Sequence, residues 1–588
     1  MHKIYSNIFF QLFVLVCVLI IPFRFLLYGN LFESDDYELH AARTANYYLA
    51  LQQGQFPPRW APNLNNGFGY PSFNYMYPLP YFVASVLHMI NFSIQESLLL
   101  SILLLILTGG VGVYLLAKPF VKHGMLAVVL AAAYFFNPYT FLLVYWRGAI
   151  GELFLYCLVP YILLSIHNVY TAYKSKAAVF FHASLLSIFV TAAILSHVPS
   201  MLPLSIICAG WLLSIELKHG ILKKHWKLIL SGLGYAAVLT ILLSSFYLFP
   251  AILEKNLIAY EESNSLLQYL FHFIPLRSLF DITRSLQSSP YFLEVIQVGV
   301  SAIGVGLLAG IQLSFRKKTD SKLSPLLIWS ILFIFFIFFM TNFSKFIWDY
   351  SEFIQMLQFP WRLLWVVNVC TLCMVIELVS SPYKRVFFMG GTIFVLIFGM
   401  FISILGYAHP KSTYTRTDYE WYESWITGSS YDEHRPKTAQ RMYPVTGTIF
   451  LHPVADVSNP RNYWRPLNSS ESTVYVSQGT TLQYAVNLSV PSVIVHKRLS
   501  FPGWTATVDG KKASMSQRAT SFAGLIQLEL PAGKHEIKIH FDGKTPIRST
   551  AEYLSLLGGV LLIITLTLSV YKLIPNPVHP PRRARHFK

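Results

Sequence analysis

Long apolar runs separated by short charged segments set the plan of this chain. Ile8 to Tyr28, Leu98 to Leu116, Val179 to Leu195, Leu228 to Phe249 and Leu326 to Met340 reach or approach the roughly 20 residues needed to cross about 30 Å of hydrocarbon. Inside lipid a crossing segment must satisfy its own backbone, so each run reads as a helix. The pattern changes after residue 407. Apolar runs give way to period-two alternation in Ser492-Val-Ile-Val-His496, Trp504-Thr-Ala-Thr-Val508, Leu525-Ile-Gln-Leu-Glu-Leu530 and His535-Glu-Ile-Lys-Ile-His-Phe541. Turn residues stand between them at Asp509-Gly510, Pro531-Ala-Gly533 and Asp542-Gly543. The expected fold is a polytopic α-helical membrane protein with a C-terminal extracytoplasmic β-sandwich. A last span follows, from about Tyr553 to Tyr571.

Composition agrees with that plan and excludes a soluble enzyme. The 588 residues are 54% hydrophobic, 16% aromatic and only 12% charged, with a mean hydropathy of +0.49. No small-residue cleavage site follows the first run, which reads as a retained helix rather than a signal peptide. The cysteines (Cys17, Cys157, Cys208, Cys370, Cys373) all fall inside apolar runs, where packing explains them better than redox or metal chemistry.

A net charge of +17 raises the question of nucleic acid, but the basic residues only punctuate the spans. Placing Lys118/Lys122, Lys174/Lys176, Lys218 to Lys227, Arg316 to Lys322, Lys384/Arg385 and the tail Arg582 to Lys588 in the cytoplasm satisfies the positive-inside rule. The segments 29–77, 143–151, 197–200, 253–290, 344–359 and 407–550 then face outward. Only one crossing fits between 78 and 117, so the short run Pro78 to Ile90 reads as a juxtamembrane or re-entrant helix. About twelve spans result, with both termini inside. The expected units are a transmembrane catalytic module over 1–406 with a large first outer loop, a mostly β module over 407–550, a final helix over 551–573 and a basic tail over 574–588.

Candidate chemistry gathers on the outer side. Glu33-Ser-Asp-Asp-Tyr-Glu-Leu-His40 is an acidic cluster just after the first span, and helical spacing puts Asp36 and His40 on one face. A carboxylate there can act as general base toward a hydroxyl, and Asp35 with Asp36 can ligate a divalent metal such as Mg or Mn. The competing reading is an acidic helix start, capped by Ser34 or Asp35 and complementing the helix dipole. Arg147 and Glu152 stand at a second outer helix end, His197 at a third, and Arg362 opens a later span in Gln358-Phe-Pro-Trp-Arg362. Ionisable residues at such depth are functional candidates. Guanidinium groups suit bidentate capture of phosphate, although an interfacial arginine that merely snorkels would look the same.

The ordered set Asp36-x-x-x-His40, Gly54-x-Phe-Pro-Pro-Arg-Trp60, Gly67-Phe-Gly-Tyr-Pro71, Pro78-Leu-Pro-Tyr81 and Gln358 to Arg362 resembles the bacterial multi-spanning proteins labelled 6-pyruvoyl-tetrahydropterin synthase-related, of the C-type (GT-C) glycosyltransferase superfamily. Phe501-Pro-Gly-Trp-Thr-Ala-Thr-Val-Asp-Gly510 resembles the extracytoplasmic β-domain of related bacterial membrane proteins. Despite the label, nothing resembles a soluble pterin enzyme. The resemblance implies a sugar donor carried on a polyprenyl phosphate, a cell-surface glycan, polymer or lipid as acceptor, and a catalytic acidic residue in the first outer loop. Asp36 matches that position, with Asp35 beside it and Glu152 as a second acidic site. His40, Arg43, Arg59, Arg147, His197 and Arg362 are then substrate-binding candidates. The alternative is a transporter or flippase of lipid-linked saccharides, or a glycan-binding scaffold, for which repeat symmetry and mid-membrane charges are the expected marks.

Overall fold

The computed structural model describes residues 7–121, 123–260, 264–281, 296–315, 323–381, 385–423, 433–439, 449–453, 465–467, 472–515 and 523–573. Lys122, the basic run 316–322, Lys384, Trp464 and the tail 574–588 lie outside them. Among the described residues nine helices are long and apolar enough to span a membrane, and two bent pairs bring the number to 11. About twelve crossings were expected; Val300–Ser314, an apolar helix of 15 residues, is too short to be counted among these. Residues 79–117 fold as expected, into a short helix Leu79–Met89 and one long helix Ile94–Ala117.

Local chemistry explains where these helices start and how closely they pack. Ser93 and Glu96 form a reciprocal capping box that starts Ile94–Ala117 after a sharp turn at Asn91, whose φ is 76°. Without a hydrophobic drive between helices in lipid, close packing favours small residues. A Cβ on Gly109 would lie 2.9 Å from the Cβ of Cys157 on helix Ile150–Thr171, and one on Gly558 would meet Leu242 at the same distance. The last helix, Pro546–Leu573, is thus pinned along Leu222–Leu253, where Ser245 and Ser555 share a 2.9 Å hydrogen bond. Helix Leu364–Ser380 is buried along most of its length, while Cys17 on the first helix Ile8–Phe23 is exposed.

One expected loop is absent. Residues 143–151 do not form an open connection: Leu142–Arg147 make a π-helical turn that Gly148 ends in the left-handed region, with φ 70°. Asn137 caps the preceding helical turn with its side chain, and Pro138 bends the run by 54° from Gly124–Phe135. π-turns of this kind occur mostly at functional sites.

The β module is two antiparallel sheets packed face to face. One runs Leu525–Leu530, Ser492–Leu499, Ile449–Pro453, Arg465–Pro466; the other runs Ser472–Gln478, Thr481–Leu488, Gly533–Phe541, Trp504–Val508, Lys511–Ala513. Tyr484, Val486, Ile537 and Ile539 share one face of the second sheet and Ile494, His496, Ile526 and Leu528 one face of the first, and Tyr484 meets His496 across the gap. Trp504 is 5% exposed and belongs to this core.

The first loop docks on that module, and this is what its Gly/Trp motifs do. Trp60 packs against Trp504 and Phe541 at 5.3 and 5.2 Å. Gly69 is needed because a Cβ there would lie 2.4 Å from the Trp60 indole. Arg498 donates to the Gly67 carbonyl at 3.0 Å, and Thr480 to the Gln53 side chain at 2.8 Å. A short strand Leu31–Phe32 pairs antiparallel with Thr413–Tyr414, and the Arg416–Glu38 ion pair at 2.8 Å holds the same strap. At the base of the module, Arg548 donates to Glu254 at 2.8 Å and to the Pro502 and Gly543 carbonyls, while Thr545 donates to the other Glu254 oxygen. Arg548 is 0% and Glu254 3% exposed, so neither charge reaches water.

Removing one partner from that pair strands the other. Glu254→Ala or Arg548→Ala should each cost about 3–5 kcal/mol, and the double substitution clearly less than their sum. Thermal unfolding of the purified protein in detergent checks this, and strictly additive losses contradict it. A second expectation concerns acid. His496 is buried between the sheets, where its Nδ1–H donates to the Ile526 carbonyl and its Nε2 accepts from the Tyr484 hydroxyl at 2.7 Å. Burial pushes its pKa down from 6.5 to about 4, with Arg498 adding to the effect and the Ile526 bond opposing it. Between those values the unfolded chain binds a proton that the folded one refuses, so stability falls as pH drops through this window, by up to about 3 kcal/mol. The unfolding temperature of His496→Gln should decline less steeply from pH 6.5 to 4.5 than that of the parent; equal slopes contradict the assignment.

Candidate active site

The clamp between the first loop and the π-turn comes first, because it aims the acidic residues. The Asp35 amide donates to the Trp146 carbonyl at 3.3 Å and the Asp36 amide to the Arg147 carbonyl at 2.9 Å. Tyr37 reinforces the contact by donating its hydroxyl to the Val144 carbonyl at 2.7 Å. Gly148 lets the two backbones approach: a Cβ there would sit 3.0 Å from both the Ser34 Oγ and the Tyr37 ring. Ser34, not Asp36, caps the helix Tyr37–Gln52, its Oγ accepting from the Tyr37 amide at 3.1 Å. Asp36 occupies the N-cap position yet makes no side-chain cap bond, which leaves its carboxylate for other work.

Both carboxylates open into a cavity of about 800 Å³. Eight of the nine sequence-derived candidates line it: Asp35, Asp36, His40, Arg43, Arg147, Glu152, His197 and Arg362. They come from the first loop and its helix, the π-turn, the start of Ile150–Thr171, the Ser196–Ser200 turn and the start of the Pro360 helix. The exception is Arg59. It lies outside the cavity, paired with Glu552 of the last helix at 2.8 Å, with its carbonyl held by Asn74, so it ties the first loop to the C-terminal helix. The stretch Phe68 to Tyr81, rich in aromatic residues and proline, divides in the same way. Phe68, Tyr70 and Phe73 are buried in packing, while Tyr75, Met76 and Tyr77 reach the cavity.

Glu152 is the pivot of the cationic end. One carboxylate oxygen lies 3.5 Å from both the Arg147 Nη1 and the Arg362 Nε, and the other is buried without a hydrogen-bond partner. Aromatic faces take up part of the desolvation of these cations. The Arg147 guanidinium sits 4.3 Å from the Trp361 ring centroid, and that of Arg362 lies 4.6 Å from Phe359. Arg362 is further oriented by the Leu357 carbonyl at 2.9 Å and by the Gln358 Oε1 at 3.0 Å, where Gln358 adopts a φ of 62°. The motif Gln358 to Arg362 thus holds two guanidinium groups over aromatic rings and spreads them around one carboxylate.

Histidines and tyrosines make the neighbouring wall. His40 is bonded through Nδ1 to the Tyr81 hydroxyl at 2.8 Å, and burial with the nearby Arg43 and Arg147 cations holds its pKa well below the usual imidazole value, so it is neutral. His197 bonds Ser200 through Nδ1 at 2.8 Å. Tyr77 stacks on Tyr81 at 5.8 Å and packs beside His197 at 6.2 Å. Asp35 is pushed up from the normal carboxylate range by partial burial, with Arg147 and Lys411 opposing the shift and Asp36 adding to it. Among the described residues no group of three or more His, Cys, Asp or Glu is placed to hold a metal. Asp35 and Asp36 still match what Mg²⁺ takes from proteins, one or two carboxylates completed by water and substrate phosphate.

The cavity also contains groups that carried no signal in sequence: Lys255 and Tyr260 after the helix Leu222–Leu253, His272, and Glu433 with His434 from the C-terminal segment. Gln358, Phe359 and Trp361, by contrast, sat in a motif that marked them.

Comparison with known proteins adds the following. A protein of Lactococcus lactis subsp. cremoris described as uncharacterized is 26% identical over 266 residues, and the match spans 44% of this chain and 42% of that relative. Among solved structures, mycobacterial arabinofuranosyltransferase AftD is similar with a TM-score of 0.41 at 17% identity, over 68% of this chain and 27% of that one. ArnT from Cupriavidus metallidurans, solved with undecaprenyl phosphate, is similar with a TM-score of 0.38 at 12% identity, over 67% and 75%. The family described as 6-pyruvoyl-tetrahydropterin synthase related domain, membrane protein, matches residues 73–406, more than half of the 588, and the chain belongs to that family.

Proposed function

We propose that this protein is a membrane glycosyltransferase of the GT-C type, taking a sugar from a polyprenyl-phosphate-linked donor and passing it to a hydroxyl of a cell-surface glycan, polymer or lipid. The observation that carries the reading is the single cavity in which an uncommitted Asp36 carboxylate faces two guanidinium groups gathered around Glu152. Residues 1–406 then form the catalytic module, and 407–550 an outer module joined to the last helix. In this reading the cavity and the β module lie on the outer face of the cell membrane and both termini lie inside, which the distribution of lysine and arginine supports.

The chemistry follows from the placement of charge. The Asp36 carboxylate takes the proton of the acceptor hydroxyl as its oxygen bonds to the anomeric carbon. The bond from that carbon to the phosphate oxygen breaks, and its electron pair leaves with the lipid phosphate. Arg147 and Arg362 meet the growing negative charge there, where exclusion of water strengthens them. Displacement from the opposite face inverts the anomeric centre. Glu152 keeps the two guanidinium groups from repelling one another before the phosphate arrives. A divalent ion held by Asp35 and Asp36 would supply further charge to the leaving phosphate.

A flank of the same cavity suits the prenyl chain. Ile252 and Phe353 line it while remaining 66% and 61% exposed, so the opening on that side is apolar. An anion at the arginines with its tail along these residues joins a charged site to lipid without an uncovered charge between them.

In liposomes containing a polyprenyl-phosphate sugar drawn from cell extract, the parent protein should transfer radiolabel to endogenous acceptor. Asp36→Asn should lower the rate by about 100- to 10,000-fold with the unfolding temperature unchanged. Transfer at the parental rate by Asp36→Asn contradicts its role as base. Arg147→Gln and Arg362→Gln should each lose about 100- to 1,000-fold in rate. Full activity in either excludes that residue from charge stabilisation.

A further inference from the structure

The transfer chemistry leaves one end of the cavity unused. Glu433 and His434 form part of its wall, although they belong to the segment that follows the transmembrane module. The His434 ring stacks on Tyr75, with centroids 5.7 Å apart and planes at 26°, and Tyr70 lies 6.3 Å away on the same ring. Arg43, itself 4% exposed, contributes from the helix Tyr37–Gln52 and donates to the Tyr81 hydroxyl at 3.4 Å. Burial works against the charge of Arg43, but Tyr81, Tyr77 and Glu433 more than offset it.

The stacked pair Tyr77 and Tyr81 stands between the two ends. On one side the Tyr81 hydroxyl meets His40 and Arg43; on the other Tyr77 packs beside His197, near the arginines and Glu152. Asp36 lines the same cavity and lies near enough to Tyr77 to influence its phenol. Asp36 thus shares one cavity with the Arg147–Glu152–Arg362 group and with a second group in which Arg43 and Glu433 stand beside His434 and Tyr75.

We propose that this second end, built from Arg43, Glu433, His434 and Tyr75, is the acceptor subsite and takes a saccharide. The inference rests on the glycosyltransferase reading above and extends it to the acceptor. The Arg43 guanidinium and the Glu433 carboxylate offer donors and acceptors to neighbouring sugar hydroxyls. The Tyr75 and His434 rings offer flat apolar faces to the C–H side of a sugar ring. The phosphate of the donor keeps to the arginine pair, so the two substrates occupy different parts of the one cavity that Asp36 lines. Glu433 and His434 come from the C-terminal segment, which makes that segment the element that selects the acceptor.

The full chain in nanodiscs tests this with two probes. The first is a panel of methyl glycosides (glucoside, galactoside, mannoside, rhamnoside and N-acetylglucosaminide) followed by saturation-transfer NMR; the second is undecaprenyl phosphate, followed by quenching of tryptophan fluorescence. At least one glycoside should bind the parent, and Glu433→Gln and His434→Ala should each weaken it by about tenfold or more. Undecaprenyl phosphate should bind both variants as it binds the parent, and should bind Arg147→Gln more weakly. Glu433→Gln keeps the shape of the side chain, so its loss of binding at an unchanged unfolding temperature reports on the carboxylate itself. No glycoside signal, or parental glycoside binding in both variants, overturns the subsite while leaving the donor reading standing if the lipid phosphate still depends on Arg147. Failure of undecaprenyl phosphate to bind overturns both.

Discussion

Two backbone hydrogen bonds, from the amides of Asp35 and Asp36 to the carbonyls of Trp146 and Arg147, are what the candidate site depends on. They join the turn after the first helix to the π-turn that precedes Ile150–Thr171, and so set acidic and basic side chains around one space. The bonds need a close approach that only glycine at 148 permits, and Tyr37 closes the contact from the other side. A main-chain clamp of this sort fixes direction without using any side chain that the chemistry needs. That is why Ser34 does the capping and Asp36 remains uncommitted.

Buried charge is the second constraint, and the fold meets it in two different ways. Arg548 and Glu254 are matched almost completely, by each other and by carbonyls and Thr545, and the result is a rigid joint between the β module and the helices. The cavity arginines are matched only in part. Glu152 offers one oxygen to two guanidinium groups at 3.5 Å and keeps the other without a partner, while aromatic rings cover the remaining faces. Two guanidinium groups that share one carboxylate carry a net positive charge, the condition under which an anion would find donors there.

The helices were legible in the sequence because about 20 apolar residues leave few alternatives in a membrane protein. The β module was legible through its alternation, since Ser492 to His496 and Leu525 to Leu530 pair just where their period-two pattern places them. Asp36, Arg147, Glu152 and Arg362 could be picked out because ionisable residues gathered beside the outer ends of spans are functional candidates. Their meeting in one cavity could not be read, because it depends on the π-turn and on Gly148, which look like an ordinary loop in the sequence. Arg59 shows the limit from the other direction. Its motif differs in no local way from those that reach the cavity, and its partner Glu552 stands 493 positions away. Glu433 and His434 were invisible for a related reason: they lie in a polar stretch without periodicity, and the packing of His434 on Tyr75 and Tyr70, with backbone bonds from Ala259 to Arg435 and from Lys437 to Leu257, draws them to the cavity.

The central claim is that the Arg147–Glu152–Arg362 group is the seat of a lipid phosphate. A cryo-EM structure of the full chain with undecaprenyl phosphate tests it most directly. The expected result is phosphate density within hydrogen-bond distance of both guanidinium groups, with the prenyl chain leaving over Ile252 and Phe353. Phosphate density elsewhere, with Glu152 still holding both arginines, would contradict it.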